Sequence, residues 1–479
     1  MSARDVYTNP LAARYASKPM LRIFSDDRKF GTWRRLWLAL ARAEKDLGLA
    51  ITAEQIAEME AHLDDVDYEV ADRREREVRH DVMAHVYAFG KQCPKAAPII
   101  HLGATSMFVV DNTDTILLRE AYGLVRARLV RVIAALAKQA ENHAATPCLS
   151  YTHFQAAQPT TFGRRMCLWI QDLLIDLEEV EGRRARLRLL GTKGTTGTHA
   201  SFLTLFDGDE KKVLELDRRV AAAMGFDSVF PVTGQTVSRK IDAQALACLS
   251  GVAQSAHKAA NDVRLLMGLG CVEEPSQKEQ IGSSAMAYKK NPMRCERMTS
   301  LARFVISLVS YGDQTMAEQW LERTLDDSAG KRIVLPESFL AADAILSIYE
   351  DVAKGLVVFP AALLRELKRE LPAMATEEIL MLGVKAGGDR QELHEVIRRH
   401  SREAARRVKE EGAESDLIER IAADPAFAAV RGSVTSVMEP RRYLGRSEAQ
   451  VREFLANDVA PVLERHKDAL SLEAGEVRV

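Results

Sequence analysis

Residues able to move protons or hold anions gather in five polar islands of this 479-residue chain, between long stretches with apolar periodicity. The run "REVRHDVMAH" sets Arg79, His80 and Asp81 side by side, with His85 just beyond. An arginine and a carboxylate around an imidazole can hold an anion and set the protonation of the ring, although a single histidine in such a run is usually structural. In "HLGATSMFVVDNTD", Thr105 and Ser106 stand at a helix entrance, where free N–H groups and hydroxyls favour anions. Asp111 and Asn112 are available there as caps, and ordinary capping accounts for the same letters. In "SYTHFQAAQPTTFGRR", His153 lies among polar residues just before a helix. That placement suits proton transfer better than a position on an apolar stripe, such as that of His257. "GTKGTTGTHASF" can form backbone N–H nests but lacks the full phosphate-loop spacing, so it reads as a tight loop.

The fifth island, "IGSSAMAYKKNPMRCE", spans residues 281–296. Its Gly282-Ser283-Ser284 step can move, Lys289 and Lys290 supply charge, and Pro292 can begin a helix whose first turn holds Glu296. These residues suit a lid that closes over an anion. An ordinary exposed loop would have much the same composition.

The elements that must position these islands are helices. Leu118, Tyr122, Val125, Leu129, Val132 and Leu136 recur at steps of three and four, which predicts a helix over about 113–139. Met166, Ile170, Leu173, Leu177 and Val180 repeat the pattern. A third stripe from Leu246 to Gly270 is rich in alanine, so its helix can approach its neighbours closely, as the central rod of a bundle would. Further helices are expected over 295–311, 339–352 and 389–412, with Pro336 near the start of the second or kinking it. Strand signals are few and short. The expectation is an all-α chain in three parts: an N-terminal helical domain over 1–105, a central long-helix bundle over 106–358, and a C-terminal helical domain over 359–479.

The 66 basic and 68 acidic residues nearly cancel, which argues against nucleic acid or a membrane surface as partner. The six cysteines are scattered without a CxxC pair, as in a cytosolic protein with reduced thiols, and no zinc site is expected. The first twenty residues lack the apolar core of a signal peptide, and no segment is apolar for the length a bilayer requires. The expected location is the cytoplasm.

Taken together, the islands resemble the fumarase/aspartase superfamily, whose signature loop Gly-Ser-Ser-x-Met-x-x-Lys-x-Asn-Pro reads "GSSAMAYKKNP" here. The motifs "RYAS", "RHDVMAH", "HLGATS", "YTHFQAAQPTT", "KGTTGT", "ERTLDDSA" and "KAGG" are similar to those of the branch that acts on adenylosuccinate. They run in order from residue 14 to 388. The resemblance implies a three-domain all-α fold, assembled as a homotetramer with active sites built from several subunits. It implies β-elimination of fumarate from adenylosuccinate to give AMP, and from the succinyl-carboxamide ribotide intermediate of purine synthesis, without metal or organic cofactor.

By the same match, Ser283 is the expected general base and His153 the general acid, with Glu296 as the carboxylate partner of that histidine. His80 would orient the substrate, and Lys289 and Asn291 would supply part of the field that activates Ser283. Ser284 is the rival base. Substrate binding is expected from Arg14, Tyr15, Arg79, Asp81, Thr105, Ser106, Gln235, Arg297, Arg323, Ser328 and Arg332, a set that offers local cations to a substrate with two carboxylates and a phosphate. Ala287 departs from the Pro that many members carry, which should leave the loop less restrained. A sister lyase acting on argininosuccinate, malate or aspartate would share the Ser283 loop, and an inactive structural protein could share the fold. Arg14-Tyr15, residues 79–81 and the group around Arg323 favour a nucleotide.

Overall fold

The computed structural model describes residues 5–276, 285–286, 288–434 and 436–471. Its centre is a bundle of long helices: Ser106–Asn142, Phe162–Ala185, Lys240–Gly268, Met293–Ser307 and Ser328–Gly355. The stripe read from the sequence is buried as expected, with Leu118, Tyr122, Val125, Leu129, Val132 and Leu136 all facing the core. Ala253, Ala256 and Ala260 are fully buried on the central rod, where small side chains let neighbouring axes come close. Leu11, Met20, Val451 and Val459, remote in sequence, complete the same apolar cluster.

Charges cross this core in pairs. Arg131 Nη2 lies 2.7 Å from Glu350 Oε1, and Arg128 Nε lies 3.2 Å from Asp343 Oδ1. Removing one partner of such a buried pair strands the other, at about 3–5 kcal/mol. Asp343 also accepts the Ser17 amide at 2.7 Å, which pins the N-terminal segment to the middle of the bundle.

A second apolar cluster joins Trp33 and Trp37 of helix Asp26–Asp46 to Phe89, Phe108, Phe202 and Leu216. A third, formed by Ile379, Leu393, Ile421, Phe427 and Val434, lies in the C-terminal region. All six cysteines are free and buried. Among the described residues, no helix is long and apolar enough to cross a membrane.

Helix boundaries differ from the expectation at several points, and the helix expected over 295–311 is broken at Leu308 into Met293–Ser307 and Val309–Ala317. The first long helix begins at Ser106, so Asp111 and Asn112 are not caps but fully buried residues inside it. Asp111 pairs with Arg239, and Asn112 exchanges hydrogen bonds with the backbone of Gly191. The last long helix begins at Ser328 and runs through Pro336, which removes one backbone donor but does not end the helix.

Strands Pro147–Thr152 and Gln155–Thr161 form an antiparallel hairpin, with Thr152 opposite Gln155. The two turn residues, His153 and Phe154, both have left-handed backbones, with φ of 54° and 57°. That geometry gives the hairpin the twist a two-residue turn requires, and after Gly it is best tolerated by Asn, Asp and His, so Phe154 is the costlier of the two. Close packing fixes the exit from the hairpin: a Cβ on Gly163 would stand 2.3 Å from the Ala140 carbonyl oxygen.

Candidate active site

Helix termini and loops meet in a cleft of about 970 Å³ between the N-terminal helices and the entrance to the bundle. Arg79, in a left-handed conformation with φ of 55°, ends helix Tyr68–Val78, and His80 caps the next helix, Asp81–Gln92. The reversal turns both side chains out of the helical pattern. His80 Nδ1 accepts the Met83 amide at 3.4 Å. A neutral ring then carries its proton on Nε2, 3.2 Å from Ser106 Oγ at the start of the first long helix. Asp81 Oδ2 accepts from Arg332 Nη2 at 2.7 Å. Burial would raise the Asp81 pKa, but the Val82 amide and the Arg332 guanidinium outweigh it and hold the carboxyl below its ordinary range.

The opposite wall is built from three interlocked loops. Arg323 Nη1 donates to Gln235 Oε1, and Gln235 Nε2 donates to the Thr195 carbonyl at 3.0 Å. The Gln235 amide donates to the Glu322 carbonyl, also at 3.0 Å. Gly197 allows this interlock: it has φ of +85°, and a Cβ there would lie 2.0 Å from the Thr233 carbonyl oxygen. The glycine-rich loop is held from behind rather than open to an anion. Asp217 accepts from the Thr192 amide and hydroxyl, from His199 Nε2 and from Lys193 Nζ, and Lys193 is buried in that pair.

Under the cleft lies a charge network that the sequence reading missed. Arg239 pairs with Asp111 at 3.0 Å and with Asp327 at 2.6 Å. Lys331 Nζ stands 3.1 Å from Asp114, 3.3 Å from Asp242 and 3.6 Å from Asp111. Burial alone would lower the Lys331 pKa, but Asp242 and Asp114 more than compensate and keep the ammonium charged. The network locks the first turn of the Ser328–Gly355 helix, which presents Ser328 and Arg332 to the cleft. Lys331 sits between two residues already singled out in "ERTLDDSAGKR", and that neighbourhood was the signal available.

Nine of the expected site residues line this one cleft: Arg79, His80, Asp81, Thr105, Ser106, Gln235, Arg323, Ser328 and Arg332. The others lie elsewhere in the chain. The Arg14 and Arg297 guanidinium carbons stand 5.9 and 6.0 Å from the Tyr15 ring centre, so these three form a second group. Two residues beyond Tyr15, Ser17 is tied to Asp343, and Asp343 is 15 positions beyond Ser328 on one helix, roughly 22 Å along its axis. His153 is exposed at the hairpin tip. Glu296 is exposed on the first turn of Met293–Ser307, and among the described residues no ion pair joins it to His153. Lys289 is exposed, and Asn291 closely precedes the same helix. Ser283, Ser284 and Ala287 lie outside the described residues. Among the described residues, no group of three or more His, Cys, Asp or Glu is arranged to hold a metal ion.

A lyase family model matches residues 14–307, and a model of the adenylosuccinate lyase C-terminus matches residues 372–454. The crystal structure of a fumarate lyase from Mesorhizobium sp. BNC1 superposes with a TM-score of 0.80 at 25% identity, covering 94% of this chain and 100% of that one. With its long-helix bundle, the chain is a lyase of the fumarase/aspartase superfamily. It is 53% identical to an adenylosuccinate lyase of Saccharomyces cerevisiae and 47% identical to one of Schistosoma mansoni, each over 99% of both chains. The chain belongs to the adenylosuccinate lyase family.

Proposed function

We propose that this lyase removes fumarate from adenylosuccinate by β-elimination, leaving AMP, and treats the succinyl-carboxamide ribotide intermediate in the same way. The observation that carries the reading is the cleft, where an imidazole, hydroxyls and four arginines face one space. An elimination breaks a C–H bond beside a carboxylate, uses that electron pair to form the C=C bond of fumarate, and releases the C–N pair to a nitrogen that takes up a proton. Ser283 is the proposed base and His153 the proposed acid, with Glu296 supporting the imidazolium. Lys289 and Asn291 would stabilise the charge that builds on the substrate carboxylate. A serine can act as a base only where cationic charge and exclusion of water lower the cost of its alkoxide, which is the role proposed for the loop around it.

His80 would help to bind and orient the substrate, with Nε2 turning from Ser106 to the ligand. Arg14, Tyr15, Arg79, Asp81, Thr105, Ser106, Gln235, Arg297, Arg323, Ser328 and Arg332 would bind its anionic and nucleotide parts. One chain holds Arg14, Tyr15 and Arg297 far along the bundle from Ser328, and His153 on a hairpin tip. Composite sites in a homotetramer would let these groups act together. That assembly, a cytoplasmic location and the division at residues 105 and 358 are parts of the same proposal.

The test is turnover by the purified chain. We expect adenylosuccinate to be converted to AMP and fumarate without added metal. Absence of that turnover, alongside brisk turnover of argininosuccinate, would overturn the reading in favour of a sister lyase.

A further inference from the structure

The cations around the cleft fall into two sets. Arg239, Lys331 and Arg332 are each paired with a carboxylate, and so are already neutralised. Lys29, Arg79 and Arg323 also line the cleft but have no carboxylate partner among the described residues. The sequence motifs point to two of this second set. Nothing in them points to Lys29.

Lys29 is half-buried near the start of helix Asp26–Asp46, and aromatic faces hold it in place of an acid. Its Nζ stands 4.7 Å from the Phe30 ring centre and 5.3 Å from that of Trp33. Both rings are themselves fixed: Phe30 stacks on His85 at 3.8 Å, and Trp33 is fully buried and meets Phe30 edge-on at 4.9 Å. A ring quadrupole can position an ammonium without cancelling its charge, whereas a carboxylate would do both. Lys29 is therefore presented to the cleft as a positioned net charge. Lys29 lies on the same side of the cleft as Asp81, against whose helix Phe30 stacks, and it is among the charges that keep Asp81 ionised.

We infer that Lys29 is a further substrate-binding residue, whose ammonium pairs with an anionic group of the bound substrate. The inference rests on the proposed reading of the cleft as the site of a substrate with two carboxylates and a phosphate. Three unneutralised cations, Lys29 among them, then face a polyanion. Lysine acts here as a point charge on a flexible stem, so it adds affinity without imposing the fork geometry of an arginine.

The experiment is steady-state kinetics of adenylosuccinate cleavage by the unmodified chain and by Lys29→Met, Lys29→Gln and Lys29→Arg, each at two salt concentrations, with thermal midpoints measured alongside. Loss of binding made equally to substrate and transition state appears in KM. We expect the two neutral variants to raise KM by about tenfold, which corresponds to one modest ionic contact. Lys29→Arg should recover most of that loss. The KM of the neutral variants should also rise less with salt than that of the unmodified chain. A KM within twofold of the unmodified value in both neutral variants would overturn the inference, as would equal impairment of Lys29→Arg. Failure of the parent reading would look different, because the unmodified chain itself would not cleave adenylosuccinate.

Discussion

Replacing Glu44 by Gln should change the pH dependence of stability in a direction the structure fixes. Glu44 is on the inner face of helix Asp26–Asp46, fully buried, and neither carboxylate oxygen has a hydrogen-bond partner among the described residues. Burial disfavours the charged form and pushes its pKa from 4.5 up to about 8. Between those two values the unfolded chain loses a proton that the folded chain keeps. Rising pH therefore removes stability across the window from 4.5 to 8, whereas below 4.5 the contribution is complete. At about 1.4 kcal/mol per pH unit, the loss by pH 7 is about 3 kcal/mol. An amide does not ionise, so Glu44→Gln escapes this term while keeping the shape of the side chain. The assay is the thermal midpoint of variant and parent at pH 5 and at pH 8, compared as a difference so that other titrating groups cancel. That difference should move in favour of the variant by about 5 °C between the two conditions. If it is the same at both pH values, the carboxylate is hydrated or paired, and the reasoning from burial fails.

Gly197→Ala should destabilise the chain by about 3 kcal/mol and lower kcat/KM, because its Cβ would meet the Thr233 carbonyl oxygen and displace the turn that holds Gln235 against Arg323. An unchanged thermal midpoint with unchanged kinetics would contradict the interlocked-loop description. His153→Ala should abolish elimination yet leave the thermal midpoint nearly unchanged, since the side chain is exposed and alanine meets the same left-handed backbone with the same Cβ. A midpoint several degrees lower would assign His153 a structural role instead.

The helical stripes were legible in the sequence because burial writes itself as a period of three and four, and the six stripe positions of the first long helix are all buried, although burial there extends beyond the stripe to the whole run 127–133. The same local logic failed at Asp111 and Asn112. Polar residues near a helix start look like caps, but here their partners are Arg239 and Gly191, brought in by the fold from far along the chain. The glycine-rich loop reads as a tight loop, and Lys193 turns inward to Asp217, a partner that the local sequence does not announce. Nine binding candidates do line one cleft, an outcome that spacing alone could not foretell, because it depends on four separate segments meeting. Lys29 carried no motif. What singles it out is the absence of a neutralising carboxylate among the described residues, a property of packing rather than of sequence.

The proposed composite site would bring together, across subunits, residues that one chain holds apart. Complementation tests it most directly: Ser283→Ala and His153→Ala proteins, each inactive alone, are mixed under conditions that exchange subunits, and adenylosuccinate cleavage is followed. Activity should return in the mixture, because some sites then receive an intact serine from one chain and an intact histidine from another. Continued inactivity, with subunit exchange demonstrated by labelled chains, would contradict it.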